Sequence, residues 1–276
     1  MRMSISTWVY DKLPVETAMT KLAAAGFRIL EVYSDLIHTD PRSFPENRLK
    51  EVREVADSLD LTLRTMHSPY TDLDLLSTDS SKREEAVIWA CRSLEYSRKL
   101  GCEFMVLHLG ARESAEVNGT LKAIRKRALE VMKRISRKAE DLGVKILLEN
   151  LTQREKRRYS SHIEDLIEVI VNTNPDSVRI CMDTSHTIIS GLDLYQELGR
   201  AAGLLDSLHI SEPDGERDSH DLPLKRGVVN WEKFYEKLKE VGYNGPFNLE
   251  VYGGNDPDSI VEGAKTLSKE LTFLEC

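Results

Sequence analysis

LKAIRKRALEVMKRISRKAEDLGVKILLEN, residues 121–150, holds in one unit the pattern that the rest of the chain repeats. Leu121, Ile124, Ala128, Val131, Ile135, Ala139 and Leu142 recur at three- and four-residue steps, which makes one apolar stripe along a helix. Gly143 follows, the residue type that most readily takes the left-handed turn closing a helix. A short apolar run, Val144–Glu149, comes next and stops on a carboxylate. Comparable strand-like runs are Met3–Trp8, Phe27–Tyr33, Leu61–His67, Phe104–Leu109, Val178–Asp183, Leu205–Ile210 and Pro246–Val251. Helical patterns lie between or after them, over 15–26, 47–60, 82–101, 163–172, 192–203, 231–243 and 258–271. Gly26, Gly101 and Gly242 repeat the part played by Gly143. Strand–helix alternation repeated eight times predicts an α/β fold, a parallel sheet closed into a (β/α)8 barrel. An open doubly wound sheet would normally show a glycine-rich phosphate turn after an early strand, and none is present. No linker, low-complexity tract or shift in composition divides the chain, so residues 1–276 read as a single domain.

Composition narrows the function classes. The 276 residues are 41% hydrophobic and 30% charged, enough to bury a large core. The net charge of −8 offers no global positive field, which makes nucleic acid the less favoured partner. Cys91, Cys102, Cys181 and Cys276 show no CxxC pairing, as expected of a reduced, cytoplasmic compartment. The start, MRMSISTWVYDKLP, has no long apolar segment, and no run approaches a membrane span. A homo-oligomer is allowed by all of this.

The ends of the strands carry the chemistry. In a parallel barrel the C-terminal strand ends form the active face. The third strand ends in MHSPY, the fourth in VLHLG, the fifth in LLENL, the sixth in ICMDTSH, the seventh in LHIS and the eighth in NLEVYG. Each stops at a His, Asp or Glu, whereas random placement would scatter such residues over helix faces too. With the pair Asp218 and His220 in the loop after the seventh strand, nine donors gather at one rim: His67, His108, Glu149, Asp183, His186, His209, Asp218, His220 and Glu250. Mixed imidazole and carboxylate donors suit a divalent ion such as Zn2+ or Mn2+. Desolvating so many ionisable groups without a cation would be costly. In extended backbone, residues two apart point the same way, so Asp218 and His220 are expected to reach one ion.

These motifs, with VRICMDTSHTIISGLD and the RDSH loop, resemble the xylose isomerase-like TIM barrel superfamily over nearly the whole chain. That superfamily holds sugar isomerases and epimerases together with endonuclease IV. Resemblance to endonuclease IV implies three ions: one held by His67, His108 and Glu149, a second by Glu149, Asp183, His209 and Glu250, a third by His186, Asp218 and His220. Resemblance to the ketose epimerases implies only the second site, so the expected count is one to three per chain. There the residue matching His186 contacts substrate, and those matching Glu149 and Glu250 are acid and base. The loop HISEPDGERDSHDLPLKRGVVNW is similar to the sugar-phosphate isomerase/epimerase branch, although LKRGVV lacks one glycine of that branch's usual pair. The segment YSDLIHTDPRSFPEN shows no basic, DNA-penetrating loop of the endonuclease type.

The expected reaction is therefore proton transfer through an enediolate on a small sugar, keto-polyol or sugar phosphate. A bound ion would polarise the carbonyl, and Glu149 and Glu250 would move the proton. Hydrolysis of the phosphodiester at an abasic DNA site is the alternative. Around the centre, Trp8, Glu31, Tyr70 and Arg217 are candidate substrate-binding residues. Lys225 and Arg226 could anchor substrate oxygens alongside Arg217, and Arg154, Lys156, Arg157 and Arg158 could attract an anion. Core packing for Trp8 and an internal salt bridge for Glu31 are the plainer alternatives, and His38 reads as a surface residue.

Overall fold

Parallel strands need long crossovers, and this chain supplies a helical one between each pair of strands. The computed structural model describes residues 2–110, 121–153, 157–214, 217–223 and 227–272. The strands are β1 (Met3–Ser6), β2 (Ile29–Tyr33), β3 (Thr62–His67), β4 (Phe104–Leu107), β5 (Lys145–Glu149), β6 (Val178–Asp183), β7 (Leu205–His209) and β8 (Phe247–Leu249). Nine α-helices occur among the described residues: α1 (Val15–Ala25), α2 (Leu49–Ser58), α3 (Ser80–Leu100), α4 (Leu121–Leu142), α5 (Ile163–Val171), α6 (Thr184–Ile189), α7 (Leu194–Ala201), α8 (Trp231–Glu240) and α9 (Pro257–Thr272). The sheet order is β7-β6-β5-β4-β3-β2-β1-β8. It closes through Ile210, whose N–H donates to the Asn248 carbonyl at 2.8 Å and whose carbonyl accepts from the Glu250 N–H at 3.1 Å. The expected (β/α)8 barrel is thus formed.

The apolar stripes explain the outer layer. Ile124, Ala128, Val131, Ile135 and Ala139 of α4 are all buried in the main core, while Leu121 at the helix end is exposed. Each fully buried Ile, Leu or Val side chain contributes about 2 kcal/mol. Gly26 and Gly101 close α1 and α3 with φ of 105° and 75°, the left-handed backbone expected of them.

Two elements differ from the sequence reading. β1 stops at Ser6, and Thr7–Tyr10 form a 3-10 turn capped by the Ser6 hydroxyl, which carries Trp8 out of the strand. The helix α6 was not foreseen, since six residues are too few to display a periodic stripe. Asp183 both ends β6 and caps α6, its Oδ1 accepting from the His186 N–H at 2.6 Å.

Register decides what meets inside the barrel. Between β2 and β3 it slips by one residue, so Glu31 pairs with Thr65 and Arg64 is extra. Between β6 and β7 it slips again, so Asp183 pairs with His209 and Asp206 is extra. The two extra residues touch, Arg64 Nη2 lying 3.4 Å from the Asp206 carbonyl. Within the barrel, Phe104, Val106, Leu147 and Cys181 form a small apolar plug apart from the main core. Two residues further along the same strands, on the same face, come His108, Glu149 and Asp183.

Candidate metal centre

Period-two alternation therefore lifts the donors just above the apolar plug, where they converge. Three groups have ligand atoms within 4.8 Å of one another: His67, Glu149 and His209; Asp183, His186 and His220; and Glu149, Asp183, His209 and Glu250. Glu149 stands in the middle. Its Oε2 lies 2.9 Å from His108 Nε2 and 3.4 Å from His67 Nε2, and its Oε1 lies 3.1 Å from His209 Nδ1. Glu250 Oε2 is also 3.1 Å from His209 Nδ1. Asp218 bridges two rings, with Oδ2 3.0 Å from His186 Nε2 and Oδ1 3.3 Å from His220 Nε2. All nine sequence-predicted donors thus come together at one end of the barrel.

Asp218 and His220 meet for a different reason from the one expected. Their loop is not extended: the Ser219 N–H bonds back to the Arg217 carbonyl at 3.0 Å, and His220 has φ of 50°. Backbone bonds between Glu212 and Asp221, at 2.8 and 3.1 Å, close the loop at its base. A turn, not a strand pleat, brings the pair into the site.

Hydrogen bonds choose which ring nitrogen each histidine presents. A carbonyl oxygen only accepts, so a ring nitrogen against one must carry the proton. His67 Nδ1 faces the Ser68 carbonyl at 2.9 Å, His186 Nδ1 the Asn150 carbonyl at 2.8 Å, and His220 Nδ1 the Glu250 carbonyl at 3.0 Å. Each of these rings turns Nε2 toward the donor cluster. His209 is reversed: its Nε2 faces the Glu31 carboxylate at 3.0 Å and its Nδ1 faces Glu149 and Glu250.

The donor set fits a divalent cation. Asp183 Oδ2, His209 Nδ1 and Asp218 Oδ1 are buried and lack hydrogen-bond partners among the described residues. With His209 Nε2–H committed to Glu31, its Nδ1 lone pair lies against two carboxylates, which only a cation or a second proton relieves. The electrostatics say the same. Against the effect of burial, His209 and His108 hold the Glu149 carboxyl well below its usual range. Burial likewise opposes the fall of Glu250, which His209 brings to about 2. Burial pushes Asp183 up to about 7. Burial opposes the rise of His220, which the bond to Asp218 and the charges of Glu250, Asp218 and Asp183 together bring to about 9. Protons on His186, His209 and His220, each shifted up, stand in for the positive charge that an ion would bring, while burial shifts His108 down.

Above the cluster lies a pocket of about 340 Å³. Trp8 and Tyr33 stack on one side, with ring centroids 5.1 Å apart and planes at 11°. Tyr70 stacks on His108 at 4.5 Å, and its hydroxyl meets that of Tyr33 at 2.8 Å. Trp8 and Tyr70 therefore line the pocket, as their positions suggested. Glu31 does not: fully buried, it lies below the donors and takes the internal salt bridge with His209. Arg217 turns to solvent, its side chain 84% exposed and paired with Asp214 at 2.8 Å. Of the basic run, Arg157 points to Glu164 and Asp165, and Arg158 is buried at the pocket, donating to the Thr152 and Gly110 carbonyls at 3.2 and 3.0 Å. Arg154, Lys156, Lys225 and Arg226 lie outside the described residues. His38, expected at the surface, is half-buried. Its Nδ1 is 3.0 Å from the Thr7 hydroxyl and its Nε2 3.3 Å from the Tyr10 carbonyl, tying the loop after β2 to the turn after β1.

Two residues of the site escaped the sequence reading. Tyr33 shares a strand face with Glu31, so the same period-two rule would have found it. Asn150 accepts from the Asp183 N–H at 2.8 Å and donates to the Asp183 carbonyl and Thr187 hydroxyl, both at 3.1 Å. No sequence signal announces that role, because its partners are on the next strand and the short helix after it.

Eight parallel strands with imidazole and carboxylate donors on their C-terminal ends define a (β/α)8 barrel with a candidate divalent-metal centre. The chain belongs to the xylose isomerase-like TIM barrel family, whose model matches residues 19–272. It is similar to a D-psicose 3-epimerase of Ruminiclostridium cellulolyticum, 24% identical over 234 residues that cover 84% of this chain and 76% of the relative. It is also similar to a probable endonuclease 4 of Carboxydothermus hydrogenoformans, 25% identical over 225 residues covering 75% and 74%. A crystal structure of a D-tagatose 3-epimerase-like protein superposes with a TM-score of 0.82 at 22% identity, over 98% of both chains. Among the described residues no helix is long and apolar enough to cross a membrane.

Proposed function

We propose that the chain is a divalent-metal-dependent isomerase or epimerase acting on a small sugar, keto-polyol or sugar phosphate. The observation that carries this reading is the buried quartet Glu149, Asp183, His209 and Glu250, of which Glu149 and Glu250 line an aromatic-walled pocket. Those four residues would hold the ion, which when bound would polarise a substrate carbonyl and the hydroxyl beside it. Glu149 and Glu250 reach His209 Nδ1 at the same 3.1 Å distance and are held ionised, the state a general base needs. One carboxylate takes the proton from the carbon next to the carbonyl; the other, having first gained a proton from solvent, gives that proton to the opposite face of the same carbon, so that the two end with exchanged protonation states. His186 contacts substrate, while Trp8 and Tyr70 cover apolar faces of the sugar and exclude water. Similarity to a psicose epimerase agrees with this chemistry.

The test is a ketose epimerisation assay on metal-loaded protein and on Glu250→Gln. The variant should lose roughly 10²–10⁴-fold in kcat while keeping the wild-type circular dichroism. Full activity in Glu250→Gln would end the assignment.

One observation favours a second reading, an endonuclease IV-like hydrolase. His67, His108, His186, Asp218 and His220 extend the quartet into the larger donor set such an enzyme employs, and an endonuclease 4 is among the similar proteins. Elemental analysis separates the two: one ion per chain accompanies the epimerase, three the hydrolase. Cleavage of duplex DNA at an abasic site, with Zn2+ or Mn2+ present, would establish the hydrolase. No cleavage removes it.

A further inference from the structure

Backbone carbonyls turn the rings of His67, His186 and His220 toward the donors, whereas His209 is turned by a carboxylate side chain, that of Glu31. Its partner Glu31 is fully buried, as is His209 itself. Glu31 Oε2 accepts from His209 Nε2 at 3.0 Å and from the Thr65 hydroxyl at 3.0 Å, while Oε1 is buried with no hydrogen-bond partner among the described residues. For stability alone this is a poor arrangement. A carboxylate satisfied on one oxygen inside a barrel is worse than an apolar side chain of similar volume. The local backbone is nevertheless shaped to produce it. The bulge at Arg64 sets Thr65 beside Glu31, and the bulge at Asp206 sets His209 beside Asp183. Without either slip, every later residue of that strand would face the other way.

We propose that Glu31 is the positioning residue of the metal centre. By accepting the Nε2 proton it fixes the His209 tautomer, presents Nδ1 to Glu149 and Glu250, and strengthens that nitrogen as a donor. Glu31 touches neither substrate nor ion. This assignment rests on the reading that the quartet holds a cation, and it ties the centre to the barrel interior through the one carboxylate oxygen shared by His209 and Thr65.

The experiment is competitive Zn2+ titration against a chromophoric chelator, with wild type, Glu31→Gln and Thr65→Val. Glu31→Gln should weaken Zn2+ binding 10–100-fold and shift the visible absorption of the Co2+-loaded protein, since the ligand field of His209 changes. Thr65→Val keeps the Glu31–His209 contact, so it should lower the melting temperature of metal-free protein and leave Zn2+ affinity near wild type. A purely structural Glu31 would make both variants lose stability and leave the Co2+ spectrum unmoved. Wild-type Zn2+ affinity in Glu31→Gln overturns the proposal. No Zn2+ binding by wild type overturns the metal reading itself, and the proposal with it. Should Glu31→Gln fail to fold, Glu31→Asp, too short to span the contact, is read against the same outcomes.

Discussion

A single histidine outside the metal cluster illustrates how burial sets a pH response. His38 bonds the Thr7 hydroxyl and Tyr10 carbonyl, and burial pushes its pKa down. In the unfolded chain it would titrate near about 6.5. The unfolded state therefore binds more protons than the folded one as pH falls through that value. This contribution to stability is complete above it and is lost on acidification. His38→Asn removes the titration, and Asn tolerates the left-handed φ of 51° at this position. Melting temperatures from pH 7.5 to 5.5 should fall less steeply in His38→Asn than in wild type. Parallel slopes would show that His38 stays neutral or is solvated.

Between elements, the pocket wall depends on a clasp joining the loops after β2 and β3. Buried Asp35 accepts from the Tyr70 and Thr71 N–H groups at 3.1 and 3.0 Å, and from Arg42 Nη2 at 2.8 Å. Arg42 is held in turn by Asp40 at 2.6 Å and donates to the Thr71 carbonyl at 2.6 Å. Tyr70 stands in the pocket because this clasp ends there. Asp35→Asn replaces charge-assisted bonds by weaker ones and leaves an Arg42 donor poorly matched, a loss of about 1–3 kcal/mol. Chemical denaturation should report that loss, with faster proteolysis of the loop after β3. A variant as stable and as resistant as wild type would show that the backbone alone holds the wall.

Across the whole molecule, the centre joins six of the eight strands, so an ion in it should stabilise the barrel as a unit. An ion that binds only the folded state at 100 times its Kd adds about 2.7 kcal/mol. For a chain of this size that raises Tm by about 5 °C. Saturating Zn2+ or Mn2+ should produce the rise and a chelator should reverse it. An unchanged Tm would mean that protons on His186, His209 and His220 already satisfy the site.

Much of this was legible in the chain order of residues. The stripe of α4, the glycine after it and the abrupt end of β5 at Glu149 are local facts, and repeating them eight times leaves few folds to choose from. The six donors at strand ends, His67, His108, Glu149, Asp183, His209 and Glu250, were legible for the same reason: a strand end is marked by its neighbours in sequence. Tertiary structure alone decided the rest. It turned Glu31 inward beneath His209 and sent Arg217 to solvent; it brought Asp218 to His220 by a turn; and it made Asn150 the holder of Asp183. Each of those outcomes depends on register, on a bulge, or on a partner far along the chain. Local periodicity records which way a residue faces within its own element, but not how that element is slipped against the next.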